Sequence, residues 1–156
     1  MVSYLSADEL EYIHLYVVKR LFESYGGRFG VLRRSALDLA ANRPRHTFDG
    51  VDLYETLSLK VAAMGESIIR NHPFIDANKR TAVVAAMVMF ERNGRTVIAE
   101  VHDLYEVAFA VESGEMSVVD LAEWFDYPEN VLPVTEEEWD DMAWLFGAQA
   151  LGGEEE

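Results

Sequence analysis

The chain has 156 residues, half of them hydrophobic, which is enough for one compact domain with a core and too few for two full-sized domains. It contains no cysteine, so a disulfide framework, a thiolate metal site and a cysteine nucleophile are all excluded. The formal net charge of −15 argues against duplex DNA or an anionic membrane as the main partner, because cations drive binding to both. We find neither a leader-like amino terminus nor a long apolar run, and therefore expect a cytoplasmic protein without a membrane span.

The charge is distributed unevenly along the chain. Residues 1–95 carry +2, with 13 Lys and Arg residues against 11 acids, whereas residues 96–156 carry −17, with 17 acids and no Lys or Arg. We therefore expect a phosphorylated ligand to bind in the first part of the chain, where the cations lie.

The first half of the sequence predicts helices separated by loops. Residues 6–9 have the spacing of a capping box, and the apolar residues after them recur at helical intervals, which predicts a helix that ends near residues 25–27. A short helix is predicted over residues 32–41, followed by Pro44 and a polar loop. A longer helix then runs to about Asn71, with an apolar face formed by Leu53, Leu57, Val61, Met64 and Ile68.

The second half also predicts helices, so that the fold class is all-α. A buried, alanine-rich helix is predicted over residues 79–92, and two shorter helices are predicted around residues 104–111 and over residues 117–125. Residues 96–99 are β-branched but too isolated to predict a sheet. A second capping-box pattern at residues 135–138 predicts a last helix, acidic outside, with an apolar face formed by Trp139, Met142, Ala143 and Phe146.

Most of the reactive side chains lie in one segment between two predicted helices, His72-Pro73-Phe74-Ile75-Asp76-Ala77-Asn78-Lys79-Arg80. If a helix begins near Ala77 or Asn78, its first N–H groups lack intrahelical acceptors and lie at the positive end of the helix dipole, which favours a phosphate. Lys79 and Arg80 oppose the dipole in the first turn of that helix, and an anion bound between them would explain their presence.

His72 and Asp76 complete a set that is suited to phosphoryl or nucleotidyl transfer. An imidazole is partly neutral at physiological pH and can accept a proton from an attacking hydroxyl, and a carboxylate oxygen is a ligand that Mg²⁺ prefers. The spacing of these two residues is also that of a zinc half-site, although no third ligand is nearby in the sequence. His14 lies on the apolar face of the first predicted helix, and we interpret it as a core histidine.

The segment resembles the signature of the Fic/Doc family, His-x-Phe-x-Asp/Glu-Gly/Ala-Asn-Gly/Lys-Arg, with every specified position filled. Further similarity lies in Tyr25-Gly26-Gly27, Ser35-Ala36-Leu37, Arg43-Pro44, Lys60-Val61-Ala62 and Arg92-Asn93-Gly94. The resemblance implies a compact helical bundle over residues 3–125, with the active-site loop before a central helix, and leaves residues 126–156 as an acidic C-terminal extension.

The resemblance also implies a role for each residue of the segment. His72 would be the base that activates a Ser or Thr hydroxyl, Asp76 the Mg²⁺ ligand and Phe74 the core anchor of the loop. The phosphates of ATP would be bound by Ala77, Asn78, Lys79 and Arg80, with Arg70 as a further candidate. The backbone of the target protein would dock near Arg43, Arg45 and the loop that ends at Gly50.

Two positions indicate the branch of the family. Fic members, which transfer AMP to a protein hydroxyl, have Gly in place of Lys79 and a second Arg in place of Val83. Both differences favour the Doc branch, which transfers a phosphate from ATP to elongation factor Tu and so blocks translation. The resemblance then implies a toxin with ATP and Mg²⁺ as cofactors and a Phd-like antitoxin as a partner.

Two alternatives stay open at this point. The chain could be a Fic-type AMP transferase, or it could be a binding module that its acidic extension holds shut. The predicted last helix, with Trp139, Met142 and Phe146, would either pack on the core or fill the antitoxin groove, in the same chain or in a neighbouring copy.

Overall fold

The computed structural model describes residues 1–21 and 27–133, and the predicted helical fold is confirmed in this part of the chain. The α-helices are α1 (Ala7–Tyr16), α2 (Arg34–Asn42), α3 (Leu57–Asn71), α4 (Asn78–Arg92), α5 (Val101–Ser113) and α6 (Val118–Asp126). A π-helical turn, Val17–Leu21, extends α1, and a 3₁₀ turn, Arg43–Arg45, follows α2. The predicted helix over residues 135–146 lies outside the described residues.

Capping residues explain where several helices begin. The capping box at the start of α1 is confirmed, since the Glu9 N–H donates to Ser6 Oγ and the Ser6 N–H donates to Glu9 Oε1. Ser117 caps α6 with the same reciprocal pattern. The prediction that the helix ending at Asn71 begins at Leu53 is wrong, because Thr56 caps it and Leu53 is exposed.

α3 and α4 form the centre of the bundle. α3 packs against α2, α4, α5 and α6, and α4 also contacts α1 and α5. The small residues of α4, among them Ala82, Ala85 and Ala86, are buried and permit this close packing. The core therefore lies around α3 and α4, the two helices that flank the predicted active-site loop.

Two short antiparallel ladders add to the helices. The loop predicted after Pro44 contains the hairpin β1 (Thr47–Phe48) and β2 (Val51–Asp52), turned by Asp49 and Gly50, both at positive φ. The prediction that residues 96–99 form no sheet is also wrong, since β3 (Arg95–Val97) pairs with β4 (Val131–Pro133). The two strands of this ladder are short and lie more than 30 residues apart in the sequence, so the local sequence pattern around residues 96–99 could not predict their pairing.

The β3–β4 ladder ties the start of the acidic extension to the bundle. Val131 of β4 is buried in the core, and Val97 of β3 packs against that core. The packed unit therefore continues beyond residue 125 to Pro133. No described helix is long and apolar enough to cross a membrane.

Candidate active site

The loop between α3 and α4 begins and ends in left-handed backbone conformation. His72 caps the C-terminus of α3 at φ 48°, and Ala77 precedes α4 at φ 59°. For residues other than glycine this conformation costs about 1 kcal/mol each, so surrounding contacts must hold the loop. Arg33 supplies one of them, since its guanidinium donates to the Asn71 carbonyl and, at 3.1 Å, to the His72 carbonyl.

Phe74 anchors the middle of the loop, as predicted. Its ring is buried and stacks on His14 with a centroid distance of 4.0 Å. Its backbone forms a β-bridge with Val31, and the N–H groups of Leu32 and Arg33 both donate to the Pro73 carbonyl, at 2.7 and 3.1 Å. The segment before α2, residues 27–33, therefore stabilises the loop through backbone contacts.

The Asn78 side chain stabilises the loop by two hydrogen bonds to the backbone of Phe74. Its Oδ1 accepts the Phe74 N–H at 3.0 Å, and its Nδ2 donates to the Phe74 carbonyl at 3.0 Å. The same Nδ2 lies 3.4 Å from His72 Nδ1. At this distance the contact orients the imidazole ring rather than fixing its proton, and Nε2 is left toward the cleft. In this structure the Asn78 side chain positions His72.

The Asp76 carboxylate lies at the other end of the loop and is held ionised. Its Oδ1 accepts the Ala77 N–H at 2.8 Å, and its Oδ2 accepts the Arg28 N–H at 3.1 Å. Burial alone would raise the pKa of Asp76, but these two hydrogen bonds, together with the charges of Arg80 and Arg28, hold that pKa below its usual value.

Gly27 explains how the backbone of the segment before α2 approaches Asp76 so closely. It has φ +117°, and a Cβ at this position would lie 3.0 Å from Arg80 Nη2 and 3.4 Å from Asp76 Oδ2. A side chain at position 27 would therefore press directly on two predicted site residues.

Lys79 extends from the first turn of α4 toward α5. Its ammonium lies 3.0 and 3.1 Å from the two carboxylate oxygens of Glu112 and 4.9 Å above the ring of Phe109. Glu112 Oε2 is also 3.9 Å from His72 Nε2. One carboxylate of α5 therefore lies between a predicted phosphate ligand and the predicted base.

A cleft with a volume of about 480 Å³ brings most of the predicted residues together. The loop and α4 contribute His72, Ile75, Asp76, Ala77, Asn78, Lys79 and Arg80, and α5 contributes Tyr105 and Phe109. The start of α4 has no side-chain cap, and the positive end of its dipole lies at this cleft, which favours an anion there.

Three predicted binding residues lie elsewhere. Arg70 is absent from the lining of the cleft, and its guanidinium is 3.5 Å from the Val111 carbonyl near the end of α5. Arg43 is bound inside the fold, with hydrogen bonds to Tyr54, Ala63, Glu66 and Ser67. Arg45 lies over the ring of Tyr4, with 4.7 Å between its guanidinium carbon and the ring centroid.

His14 packs against the loop from the core. Its interpretation as a core histidine is confirmed. It is fully buried, its Nδ1 is 3.0 Å from Thr81 Oγ1, and its Nε2 accepts the Gly30 N–H at 3.3 Å. Since Nε2 accepts, Nδ1 carries the proton and donates to the hydroxyl of Thr81. Gly30 in turn accepts the Ile75 N–H at 3.0 Å, which connects His14 to the loop.

Sequence patterns did not reveal the contributions of Arg28, Tyr105, Phe109 and Glu112. The last three residues recur at intervals of four and three, which places them on one face of α5 beside its apolar stripe. That periodicity could have identified the shared face. It could not have shown that this face of α5 lies against the loop between α3 and α4.

The donor set fits Mg²⁺ better than zinc. No group of three or more His, Asp or Glu side chains that could hold a metal occurs among the described residues, so the zinc alternative lacks its further ligands there. Mg²⁺ needs fewer protein ligands, because phosphate oxygens and water complete its shell around one or two carboxylates. The ionised Asp76 at the edge of the cleft can supply one.

Comparisons with known proteins find a matching family and a similar protein. A model of the Fic/DOC family matches residues 4–90, which is more than half of the chain. Toxin Doc of Mycolicibacterium smegmatis (strain ATCC 700084 / mc(2)155) is 42% identical to the chain over 77 residues, which cover 49% of this chain and 59% of Toxin Doc. The matched region thus spans little more than half of that relative.

Proposed function

The chain belongs to the Fic/Doc family, in its Doc branch, and on that premise we propose that it is the toxin of a toxin–antitoxin pair. Its activity is transfer of a phosphate from ATP to a Ser or Thr hydroxyl of a translation elongation factor such as elongation factor Tu. This transfer blocks translation. A Phd-like antitoxin segment restrains the toxin, and both act in the cytoplasm.

One observation carries the proposal: His72, Asp76, Lys79 and Arg80 line a single cleft at the start of α4. Phosphoryl transfer needs mainly positioning and neutralisation of charge. Lys79, Arg80 and the positive end of the α4 dipole neutralise the phosphates, and His72 at the start of the loop faces the acceptor hydroxyl.

The reaction follows from these positions. His72 Nε2 takes the proton of the acceptor hydroxyl, the hydroxyl oxygen forms a bond to the γ-phosphorus, and the bond from that phosphorus to the bridging oxygen breaks, so that ADP leaves. Asp76 would hold Mg²⁺, which neutralises developing charge on the phosphate oxygens when it is bound. Asn78 keeps the ring of His72 oriented throughout.

The environment of Val83 favours phosphate over AMP transfer. Fic members have their second Arg at this position, whereas here Val83 is buried and lines an apolar pocket between α3, α4, α5 and α6. The cleft therefore receives no cation from position 83. Lys79 supplies a point charge on the side of the cleft near His72, where a terminal phosphate would bind.

The first experiment is intact-mass analysis of elongation factor Tu and the other translation factors after incubation with the protein, ATP and Mg²⁺. We expect one factor to gain the mass of one phosphate. His72→Ala should abolish the gain, because no base then accepts the hydroxyl proton, while circular dichroism remains that of the wild type. His102→Ala is the matched control, since the His102 side chain is 79% exposed on α5, with its Nε2 3.5 Å from Glu106 Oε1.

Other outcomes have definite meanings. A gain of one AMP would replace the kinase by a Fic-type adenylyltransferase. A wild-type rate from His72→Ala would contradict the assignment of the base. Absence of any gain on all translation factors would contradict the proposed target class and favour the binding-module alternative.

A further inference from the structure

Glu112 lies at the edge of the cleft in the described structure, beside two of its lining residues, Lys79 and His72. Its two carboxylate oxygens lie 3.0 and 3.1 Å from Lys79 Nζ, and one of them is 3.9 Å from His72 Nε2. Lys79 lies at the second position of α4, where a cation opposes the helix dipole. The sequence predicted an anion beside Lys79, and in this structure the anion is a side chain of the protein itself.

Glu112 is able to leave this position. It lies next to the last residue of α5, and its side chain is 33% exposed. It also lines a second groove on the outer side of α5, formed with Glu106, Phe109, Ala110, Ser113 and Glu115. Rotation about its side-chain bonds would move the carboxylate from the cleft toward this open groove without moving the helix.

We propose that Glu112 is an intramolecular competitor for the phosphate site: it holds Lys79 in the ligand-free protein and is displaced when a phosphorylated ligand binds. This inference rests on one part of the proposed function, namely that the cleft binds phosphates. It assigns to Glu112 a regulatory role, since ligand affinity is set partly by the strength of the Glu112–Lys79 pair. Ligands with several phosphate charges displace Glu112 more readily than ligands with one.

The charges of Glu112 and of a phosphate ligand favour displacement of Glu112 over a role in which Glu112 stays in place and supports the bound ligand. A phosphate that bound Lys79 while Glu112 stayed in place would bring two like charges within a few ångströms of each other in a partly buried cleft, which is unfavourable. The Lys79–Glu112 pair is also partly exposed, so its own stability is modest and a multiply charged ligand can replace it. Phe109, 4.9 Å from the ammonium, keeps Lys79 at the cleft wall when Glu112 leaves.

The test measures binding of inorganic tripolyphosphate by calorimetry, without Mg²⁺ and without a protein target. Glu112→Gln keeps the size of the side chain and removes its charge, and we expect it to bind tripolyphosphate about fivefold more tightly than the wild type, from the loss of one partly exposed ion pair. Glu106→Gln is the control, since it makes the same charge change on the same helix without a contact to Lys79. Its affinity should remain that of the wild type.

A double-mutant cycle separates competition from general repulsion of anions. If Glu112 acts by occupying Lys79, the gain from Glu112→Gln should disappear when Lys79→Gln is already present. The proposal would be overturned if Glu112→Gln still raised the affinity for tripolyphosphate in the Lys79→Gln protein. It would also be overturned if Glu112→Gln alone bound tripolyphosphate no more tightly than the wild type, or if no form bound it. Transfer to a protein plays no part in this measurement, so failure of the proposed kinase activity would be detected separately by the mass analysis.

Discussion

His14 connects three parts of the molecule through one buried imidazole. Its Nδ1–H binds Thr81 of α4, its Nε2 accepts from Gly30, and its ring stacks on Phe74. Burial is the main reason that the pKa of His14 is lowered to about 4; the charge of Asp76 opposes this shift and that of Arg80 adds to it. A protonated ring could no longer accept the Gly30 N–H, so the neutral form maintains the support of the loop.

This lowered pKa predicts that His14 contributes to acid sensitivity. In the unfolded chain a histidine titrates near pH 6.5, so as pH falls from 6.5 toward 4 the unfolded state binds a proton that the folded state does not, and stability falls. Between pH 7 and pH 4.5 this one group should lower the free energy of unfolding by about 2 kcal/mol. His14→Gln, which cannot be protonated in that range, should lose correspondingly less stability than the wild type.

Urea unfolding of both proteins at the two pH values measures this difference. Carboxylates also titrate in the range, but their contribution is common to both proteins and cancels in the comparison. His46→Gln is a suitable control, since His46 is exposed. An equal loss of stability in wild type and His14→Gln would show that the folded-state pKa of His14 is not lowered.

At the scale of single residues, the sequence predicted the candidate residues inside the motif and missed those that reach the loop from other parts of the chain. His72, Asp76, Lys79 and Arg80 were found from residue type and spacing, and the structure brings them into one cleft. Arg28 binds Asp76 through its backbone N–H, which no side-chain pattern reports, and its charge adds to that contact. Glu112 is 33 residues away from Lys79 along the chain, so only the packing of α5 on α4 brings the two together.

Gly65 in the middle of α3 shows that this central element is not optimised for stability. A Cβ added at Gly65 would have no neighbouring heavy atom within 4 Å, and Gly65 lines the small apolar pocket together with Ala82 and Ala86. Gly65→Ala should raise the free energy of unfolding by about 1 kcal/mol, because alanine favours the helix and restricts the unfolded chain. For a chain of this size the melting temperature should rise by about 2–4 °C.

Gly114→Ala is the matched control with the opposite sign. Gly114 ends α5 at φ +85°, and its Cβ would lie 3.5 Å from Arg70 Nη1. Left-handed backbone costs alanine about 1 kcal/mol, so this variant should melt at a lower temperature than the wild type. A fall in the melting temperature of Gly65→Ala would show that the pocket beside α3 does not accept a methyl group.

At the scale of elements, helices were predictable where their ends carry local signals. The capping residue Ser6 and the terminating Gly114 are adjacent to the periodic segments that they limit. Strands β1 and β2 have two residues each, and β3 depends on a partner beyond α6, so neither ladder has a local period that could be recognised. The start of α3 was misplaced because Leu53 fits the helical period although it precedes the Thr56 cap.

At the scale of the whole molecule, the strongest feature is the separation of charge. The Lys and Arg residues of the cleft belong to the first 95 residues, whereas the chain after Arg95 contains only acids among its Asp, Glu, Lys and Arg residues. If the cleft binds ATP as proposed, the nucleotide approaches it on a molecule with a formal net charge of −15. The long-range part of this repulsion is screened beyond about 8 Å at physiological ionic strength.

This separation predicts how the acidic extension affects ATP binding. Residues 134–156 contain eight acids and no Lys or Arg, so a chain that ends at Pro133 has a formal net charge of −7 instead of −15. At low salt the shortened chain should bind ATP more tightly than the full chain, because repulsion of the anionic nucleotide is weaker. The difference should shrink as salt is added, since screening removes the long-range contribution.

Titration of both chains with ATP over a series of salt concentrations tests this prediction. The shortened chain keeps β4 and the buried Val131, so its core should remain intact, which its melting curve would verify. A chain that ends at residue 125 would lose the β3–β4 ladder and the core contact of Val131, and could not separate charge from stability. If the difference in ATP affinity persisted at high salt, residues 134–156 would act through direct contact with the cleft rather than through their charge alone.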